Sequence, residues 1–391
     1  MTPALPLALL LTAALAGCDV FDPPPSKGGT GRAEVAWTVP KTDPNDNHVQ
    51  PVIDGDRAFV STDGRLFALD LGSGEQRWSV EVGREAESLH ADEDRLYLFV
   101  GSMVRAFEKS DGRAVWAASL DDSGGSPFNQ LADDGTYLYL GRRGAVQRIR
   151  KADGALTRRY MLSGLPTVGD SNTEYVFDVA VSGGLLIAPV NQVVVGDSVA
   201  RRGGVYAFDT ATGEERWRYE VPLLPWQSEG LSYPDVAAVG AQVVDGLAVV
   251  SATSRMIAFD TSTGEVVWDH VFDPELSGVW TGPTVSGEGV YVGTVTQRAH
   301  RLDLRTGELV WSRFTDGSMT PHITVRDDRV YFTNDAWGEL WVLDEETGEP
   351  VWHGRPPGYA QTRALYLSPP AVGDEMMVVV GDQFVYGLTK P

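Results

Sequence analysis

Cys18 is the side chain best suited to chemistry in this 391-residue sequence, because it is the only cysteine. It follows an apolar run over residues 4–16 and the small residues Ala16 and Gly17. Such a run is typical of the central part of a secretory signal and is too short to span a bilayer. A single cysteine excludes a disulfide framework, a cysteine-rich zinc site and a CxxC redox pair. We therefore expect the thiol to be a modification site.

The histidines and glycine clusters form no pattern that predicts a metal site, a nucleophile or a phosphate loop. The sequence contains no HxxxH, HExxH or GxSxG, and the clusters at 28–31 and 287–289 lack a strand-to-helix context. Residues 43–47 could bind Ca²⁺ loosely, but they lack the later glutamate of a hand-type loop and are more typical of a solvated turn. We predict no catalytic residue and no metal site. The six histidines are His48, His90, His270, His300, His322 and His353.

The charge balance excludes two classes of partner. The chain has 54 acidic and 32 basic side chains, which give a formal net charge of −22. Duplex nucleic acids and anionic membrane surfaces are both bound through excess lysine and arginine. We therefore expect neither nucleic-acid binding nor docking to a membrane by surface charge. Hydrophobic residues make up 42% of the chain, which is ample for a buried core.

A sequence repeat begins at residue 33 and recurs along the rest of the chain, so the elements it forms must position the side chains discussed above from that residue onward. Each copy has an alternating apolar strand, an acidic residue, a turn that ends in glycine, and a tryptophan four residues after that glycine. Alternation predicts a half-buried strand, and glycine tolerates the positive φ of the turn. One degenerate copy has Gly154 and, where tryptophan is expected, Arg158. The other copies contain Gly74 with Trp78, Gly112 with Trp116, Gly213 with Trp217, Gly264 with Trp268, Gly307 with Trp311, and Gly348 with Trp352.

The repeat predicts an eight-bladed β-propeller. Two further short strands precede each copy, and four strands in about 42 residues are typical of a propeller blade. The C-terminus supplies three strands (364–372, 376–380 and 384–388), and the N-terminus supplies an unpaired strand at 33–37 with Trp37. Their pairing completes an eighth blade and removes exposed edges. We predict one all-β domain over residues 33–391, with four-stranded antiparallel blades, tryptophans packed between blades and a monomeric body.

The N-terminus resembles that of a bacterial lipoprotein. Leu15-Ala16-Gly17-Cys18 resembles the lipobox, which implies a signal peptide over 1–17 and an acylated Cys18. The alternative is an ordinary signal peptide that happens to contain a cysteine. Residues 18–32, rich in proline and glycine, are expected to tether the body to the membrane. Asp19 resembles an inner-membrane retention signal, so either envelope membrane stays open, with the periplasmic face of the outer membrane favoured.

The repeat itself resembles the PQQ-type propeller repeat, also called the tryptophan-docking motif, over residues 33–391. One branch is the BamB family of outer-membrane assembly lipoproteins, which shares the lipobox, tether, blade count and closing strand. The resemblance implies a non-catalytic scaffold that binds POTRA domains of the β-barrel insertase. The other branch comprises quinoprotein dehydrogenases, which hold PQQ above Ca²⁺. We do not expect either cofactor here, because no metal ligands match. A ligand- or glycan-binding propeller is a further alternative.

Two long connections are the predicted partner-binding surface. Residues 158–205 and 217–256 depart from the spacing of the repeat, and long loops on rigid scaffolds often carry function. Their aromatic and arginine side chains are of the types enriched at binding hot spots, although these side chains could instead cover the rim of the propeller. Asp235 matches the first acid of a partner-binding segment in the BamB family. The candidate residues are Arg201, Arg202, Leu223, Leu224, Trp226, Tyr233 and Asp235.

Overall fold

The chain folds into eight antiparallel β-sheets arranged as the blades of a ring, which confirms the predicted propeller. The computed structural model describes residues 33–43, 49–120, 130–162, 173–194, 200–222, 238–273, 278–279, 281–315, 317, 322–334, 338–355 and 368–391, with the backbone alone at 173–174, 192–194 and 200–202. These residues contain no helix, and hence no apolar helix that could cross a membrane.

Each blade runs from an inner strand to an outer strand in chain order. The inner strands of most neighbouring blades contact one another around the ring axis. Blade 1 contains β2 (Val52–Asp54), β3 (Arg57–Thr62), β4 (Arg65–Asp70) and β5 (Gln76–Glu81). Blade 2 contains β6 (Ser88–Ala91), β7 (Arg95–Val100), β8 (Met103–Glu108) and β9 (Ala114–Ser119). Blade 3 contains β10 (Ala132–Asp133), β11 (Tyr137–Arg142), β12 (Ala145–Arg150) and β13 (Leu156–Met161).

Blade 4 differs from the predicted four-stranded pattern because it has a fifth strand. It contains β14 (Thr173–Val176), β15 (Ala180–Ser182), β16 (Leu185–Val194), β17 (Ala200–Asp209) and β18 (Glu215–Glu220). The long strand β16 pairs with β15 along its first half and with β14 along its second half. The insertion therefore extends this sheet beyond the other blades.

Blades 5 to 7 return to four strands each. Blade 5 contains β19 (Ala238–Val244), β20 (Leu247–Ala252), β21 (Arg255–Asp260) and β22 (Val266–Val271). Blade 6 contains β23 (Thr284–Ser286), β24 (Gly289–Thr294), β25 (Arg298–Asp303) and β26 (Leu309–Phe314). Blade 7 contains β27 (Thr324–Arg326), β28 (Arg329–Thr333), β29 (Leu340–Asp344) and β30 (Pro350–Gly354).

Blade 8 closes the ring with both ends of the chain. It contains β31 (Ala371–Val372), β32 (Met376–Val380), β33 (Phe384–Thr389) and, as its outer strand, β1 (Val35–Pro40). The amide of Thr389 donates to the carbonyl of Glu34 at 2.9 Å. Closure is as predicted, but the bounds of two strands differ: β1 begins two residues later than expected and ends three later, and β31 begins only at Ala371, while residues 364–367 of the predicted strand lie outside the described residues. Pairing with β33 determines the length of β1, and a repeat pattern does not contain that information.

The tryptophans lie on the turn glycines of the next blade. At six such turns a Cβ added to the glycine would come within 2.5–2.6 Å of the indole of the preceding blade. All six glycines have positive φ, between 67° and 75°. The indole nitrogen also donates to a backbone carbonyl of the same turn, as from Trp37 to Leu71 at 2.7 Å. The six pairs are Trp37 with Gly74, Trp78 with Gly112, Trp116 with Gly154, Trp217 with Gly264, Trp268 with Gly307 and Trp311 with Gly348.

Two blades form this contact differently. After blade 3, Arg158 lies over Gly213 and donates to the carbonyls of Thr212 at 2.6 Å and Ala211 at 3.0 Å. The carbonyl of Thr210, whose counterparts in other blades accept from an indole N–H, here accepts from the hydroxyl of Tyr160 at 3.0 Å. After blade 7, Trp352 meets the blade formed by the chain ends, which has no such turn. It packs in a cluster with Ala33, Val35, Phe384 and Leu388.

Candidate functional site

The ring has two chemically different faces. One face, the turn face, carries the short turns that follow the first and third strands of each blade. The other, the connection face, carries the links between second and third strands and between successive blades. The described chain leaves and re-enters the sheets on the connection face at both predicted partner-binding insertions, after Met161 and before Thr173, and after Glu220 and before Ala238.

The turn face holds most of the net charge. Its fifteen turns contain twenty acidic and four basic side chains, an excess of sixteen negative charges against −22 for the chain. Several acids at the strand ends accept backbone N–H groups and close the turns, as Asp70 does from Gly72 at 3.1 Å and Ser73 at 2.9 Å. The hydrogen bond from Arg77, helped by these N–H groups, lowers the pKa of Asp70 to about 2. The recurring acids are thus turn caps, as the sequence predicted.

The extended hairpin of blade 4 projects on the connection face. Its ten cross-strand pairs run from Leu185 with Asp209 to Val194 with Ala200. The added strand β14 supports the hairpin and connects it to blade 3 through a bridge between Arg143 and Tyr175. Blade 3 approaches closely here, since a Cβ on Gly141 would lie 2.6 Å from the carbonyl oxygen of Phe177. The base of the hairpin is therefore fixed to two blades.

The structure describes only part of the predicted partner-binding set. Arg201 and Arg202 lie on β17, paired in register with Val193 and Gln192, and their side chains are outside the described residues. The remaining members of the set (Leu223, Leu224, Trp226, Tyr233 and Asp235) lie outside the described residues, as do Cys18, Asp19 and His48.

An ion pair links blades 4 and 7 on the connection side of the ring axis. Nε2 of His322, just before β27, lies 3.1 Å from Oδ2 of Asp178, just before β15. The other Asp178 oxygen accepts the backbone N–H of Gln130, from blade 3, at 2.7 Å. Between them Gly240 and Gly282 let blades 5 and 6 approach, since a Cβ on Gly240 would lie 2.3 Å from the Gly282 Cα. The pair therefore spans three blade boundaries beside the axis.

The sequence did not single out this pair, because its members are brought together only by ring closure. Burial lowers the pKa of His322, but the hydrogen bond and negative charge of Asp178 outweigh it and raise the pKa above its usual value. Asp178 is the one charged side chain that acts on His322 among the described residues. The imidazolium form is thus favoured, and the pair holds blades 4 and 7 together.

We predict that the pair stabilises the protein more at mildly acidic than at basic pH. A raised folded-state pKa gives stabilisation that is complete below the unfolded pKa of about 6.5 and lost as pH rises through the folded value. Wild type and His322→Asn are compared by thermal unfolding between pH 6 and 9. The difference in Tm should be several degrees at pH 6 and should shrink as pH rises. Parallel curves across this range would show that the charge of His322 does not stabilise the ring.

His300 is a buried group with the opposite pH response. Its ring is fully buried between blades 5 and 6, 4.9 Å from the ring of Phe272, and neither nitrogen has a partner among the described residues. Burial, followed by the charges of Arg298 and His270, lowers its pKa to about 3. Since the folded state resists protonation, stability falls as pH drops from 6.5 towards 3. An unpartnered buried imidazole also destabilises the neutral protein.

His300→Leu is expected to stabilise the protein by about 1–3 kcal/mol at pH 7, because it removes unpartnered polar atoms from an apolar site. It should also make the free energy of unfolding depend less on pH below pH 6.5. His300→Gln is the control, since it has a polar amide that cannot titrate. It should reduce the pH dependence of the free energy of unfolding below pH 6.5 without increasing that free energy at pH 7. Denaturant unfolding at pH 4.5 and 7 measures both effects. A destabilised His300→Leu at pH 7 would contradict the assignment.

A cleft of about 910 Å³ lies on the connection face between blades 8, 1 and 2. Its lining includes Asp63, which accepts the backbone N–H groups of Thr42 at 2.9 Å and Asp43 at 2.7 Å, together with Arg84 and Glu87. Burial raises the pKa of Glu87, partly offset by Arg142 and Arg84. Three connections and the segment after β1 contribute to this cleft, so no sequence pattern marks it. Its charged lining favours a polar ligand over an apolar one.

The fit of PQQ and Ca²⁺ can be judged from the described side chains. No three His, Cys, Asp or Glu residues of that part of the chain lie close enough together to hold a metal ion. His90 pairs instead with Asp133 at 2.9 Å, and Asp133 pairs with Lys151 at 2.7 Å. The described side chains therefore offer no three-ligand set for Ca²⁺.

The fold and these features define the class: an eight-bladed propeller built from PQQ-type repeats. The family model described as "Outer membrane protein assembly factor BamB" matches residues 29–189, 170–275 and 201–325, and the chain belongs to this family.

Curated relatives include two BamB proteins and a dehydrogenase. BamB of Yersinia pestis is 22% identical over 241 residues, which are 57% of this chain and 56% of the relative. BamB of Burkholderia pseudomallei is 24% identical over 276 residues, 62% of this chain and 69% of the relative. A polyvinylalcohol dehydrogenase of Sphingopyxis is 22% identical over 58% of this chain and 35% of its own length. The chain thus matches just over half of the Yersinia protein.

Solved structures show the same fold. BamB from Moraxella catarrhalis superposes with a TM-score of 0.67 at 13% identity, over 92% of this chain and 100% of that chain. A europium-containing methanol dehydrogenase superposes with a TM-score of 0.65 at 12% identity, over 92% of this chain and 93% of that chain. At these identities the likeness establishes the propeller and not its activity.

Proposed function

We propose that this protein is a non-catalytic scaffold lipoprotein that binds protein partners during assembly of β-barrel proteins into the outer membrane. The observation that carries the proposal is the match to the BamB family over most of the repeat region. Residues 1–17 would be the signal peptide, acylated Cys18 the anchor and 18–32 the tether. The body would face the periplasm from the outer membrane, with the inner membrane as the alternative that Asp19 suggests.

The connection face supports a docking role. The hairpin of blade 4 is held by β14 and by blade 3, so a partner surface there is positioned in advance, which lowers the entropic cost of binding. The POTRA domains of the insertase are the partners we propose for this face. Because an anionic membrane surface would repel the acidic turn face, we propose that this face points away from such surfaces.

The absence of PQQ and Ca²⁺ is also part of the proposal. The lack of a three-ligand cluster in the described residues supports it. Adding PQQ with Ca²⁺ to the purified protein should change neither its absorbance nor its Tm and should not allow reduction of an electron-accepting dye.

The scaffold role is tested by affinity purification from gently solubilised membranes, with Cys18→Ala as the matched control. A POTRA-bearing insertase should co-purify with the wild type. The amount of insertase recovered with Cys18→Ala should be lower. Replacing Leu223, Leu224 and Trp226 by alanine or serine should abolish that co-purification and leave the thermal transition unchanged. Recovery of other envelope proteins or a glycan without the insertase would contradict the assembly role.

A quinoprotein oxidoreductase is the second candidate, favoured by the matches to dehydrogenases. It predicts a PQQ-dependent rise in Tm and dye reduction with an alcohol substrate. Both readouts come from the experiment described above, which therefore separates the two functions.

A further inference from the structure

Exposed apolar side chains are concentrated on the rim of two adjacent blades. Among the described residues eight large apolar side chains are exposed, and six of them lie on the outer strands β22 and β26 of blades 5 and 6. Val267 is 48% exposed, Val310 49% and Phe314 50%. We call these six side chains the apolar rim: Val266, Val267, Val271, Leu309, Val310 and Phe314.

Blades 1 and 4 carry arginine where blades 5 and 6 carry an exposed valine, whereas blades 2 and 7 carry the partly buried Val115 and Val351. The residue before the tryptophan is a β-bulge residue that the strand register skips, and in blades 1 and 4 it is Arg77 or Arg216. Arg77 pairs with Oδ2 of the turn-capping Asp70 at 2.6 Å, and Arg216 pairs with Asp209 in the same way. In blades 5 and 6 the bulge residue is Val267 or Val310.

A second arginine position is also apolar or glycine in these two blades. In blade 7, Arg329 at the start of the second strand pairs with the capping Asp344 at 2.9 Å. Leu247 in blade 5 and Gly289 in blade 6 occupy that register position opposite Asp260 and Asp303.

The two capping carboxylates of the apolar rim are held by hydrogen bonds from their own turns, and the more distant charge of Arg301 also acts on Asp303. Oδ1 of Asp260 accepts the backbone N–H of Thr263, and Oδ1 of Asp303 that of Thr306. In the part of the chain that the structure describes, no lysine or arginine forms an ion pair with either aspartate, whereas the equivalent acids of blades 1, 4 and 7 each have an arginine. A partially exposed carboxylate beside an exposed valine is complementary to a cationic side chain flanked by apolar ones.

The strand edge adds backbone hydrogen-bonding groups to this surface. Strands β22 and β26 are the last strands of their sheets in the described structure, so one edge of each faces outward. An outward edge with apolar side chains is a template for a further strand. Arg77 on β5 and Arg216 on β18 place a charge at this point, which opposes such pairing, and the valines of blades 2 and 7 at this point are partly buried.

We propose that the apolar rim docks an extended segment of a partner protein that alternates apolar and basic side chains, with an arginine or lysine completing the pair at Asp260 or Asp303. The inference deepens the proposed scaffold role and rests on it, since it assumes protein partners. The net charge of −22 further favours a basic segment.

The test uses a fluorescent peptide that alternates valine and arginine, measured by anisotropy against the full-length protein. The variant Val267→Arg/Val310→Arg gives blades 5 and 6 the arginines that blades 1 and 4 already have, so it should not destabilise the fold. It should weaken peptide binding at least tenfold, about 1.4 kcal/mol. A peptide with glutamate in place of arginine, and one with N-methylated backbone amides, should both bind much more weakly than the original.

Leu156→Arg/Met161→Arg is the matched control, because it changes the net charge equally and replaces the two other exposed apolar side chains, on β13 of blade 3. It should bind the peptide like the wild type. Equal binding by the rim variant and the wild type, or by the glutamate peptide, would overturn the proposal. So would a wild-type dimer in sedimentation that becomes monomeric in the rim variant, since a second copy would then be the occupant. If the insertase co-purifies with the rim variant while peptide binding is lost, the scaffold role stands independently of the apolar rim.

Discussion

Gly264→Ala is expected to destabilise the propeller by about 2–5 kcal/mol, the sum of two effects. The position has φ of +75°, where a side chain with a Cβ costs about 1–2 kcal/mol. The new Cβ would also lie 2.5 Å from Cγ of Trp217, in the rigid part of the indole, and such overpacking costs about 1–3 kcal/mol. Denaturant unfolding measures the change in the free energy of unfolding. Because Trp217 joins blade 4 to blade 5, we expect hydrogen exchange to increase at this seam first.

Gly246→Ala separates backbone strain from the clash. Gly246 has nearly the same φ, +78°, and open space around the position of its Cβ, so only the strain applies. Gly213→Ala should fall between the two, since its Cβ would meet the flexible end of Arg158 rather than a ring. Equal losses for Gly264→Ala and Gly246→Ala would show that contact with the tryptophan does not contribute.

Trp37→Ala is expected to cost about 3–5 kcal/mol, the range for removal of a large buried aromatic side chain. Trp37 is buried on Gly74 of blade 1 and against Gly387 of its own sheet, and its indole donates to the carbonyl of Leu71 at 2.7 Å. It is thus the link through which the closing strand holds blade 8 to blade 1. Besides the loss in Tm, amides of β1 and β33 should exchange faster, because their sheet becomes the end of an opened ring.

Trp352→Ala is the comparison on the other side of blade 8. Trp352 is only partly buried and packs on the strands near the chain ends, without a glycine turn beneath it. It should therefore cost less than Trp37→Ala and leave the seam between blades 8 and 1 protected. If the two variants are equally unstable, the turn contact is not what closes the ring.

Most of the fold was predictable because it is encoded locally. Strand alternation, turn glycines and capping acids recur within each repeat, and the unpaired N-terminal strand pointed to closure with the C-terminus. The degenerate copy was also recognised, but its substitute contact was not. That contact depends on Tyr160 hydroxyl and Arg158 guanidinium groups reaching carbonyls of the next blade.

The candidate site was less predictable because its members are distant in sequence. Asp178 and His322 meet only when blades 4 and 7 are placed around one axis, and no spacing rule connects them. The apolar rim was equally hidden. From the sequence alone, Val267 and Val310 are typical strand residues. Only the comparison with the arginines of blades 1 and 4 shows which ion pairs are missing in blades 5 and 6. Conversely, the long connections were easy to mark as unusual, but the repeat says nothing about where their side chains lie.

The closing strand also has a mechanical consequence. With an anchor at Cys18, a pull between membrane and body would be delivered to β1, which directly follows the tether and is the strand that completes the ring. The load would first reach the pairing of Glu34 and Thr389 and then the cross-strand pairs from Val35 with Leu388 to Pro40 with Phe384. The strand that bears the tension is thus the one that keeps the propeller closed. Force on the tether would act on the hydrogen bonds between β1 and β33 before it reached any other blade.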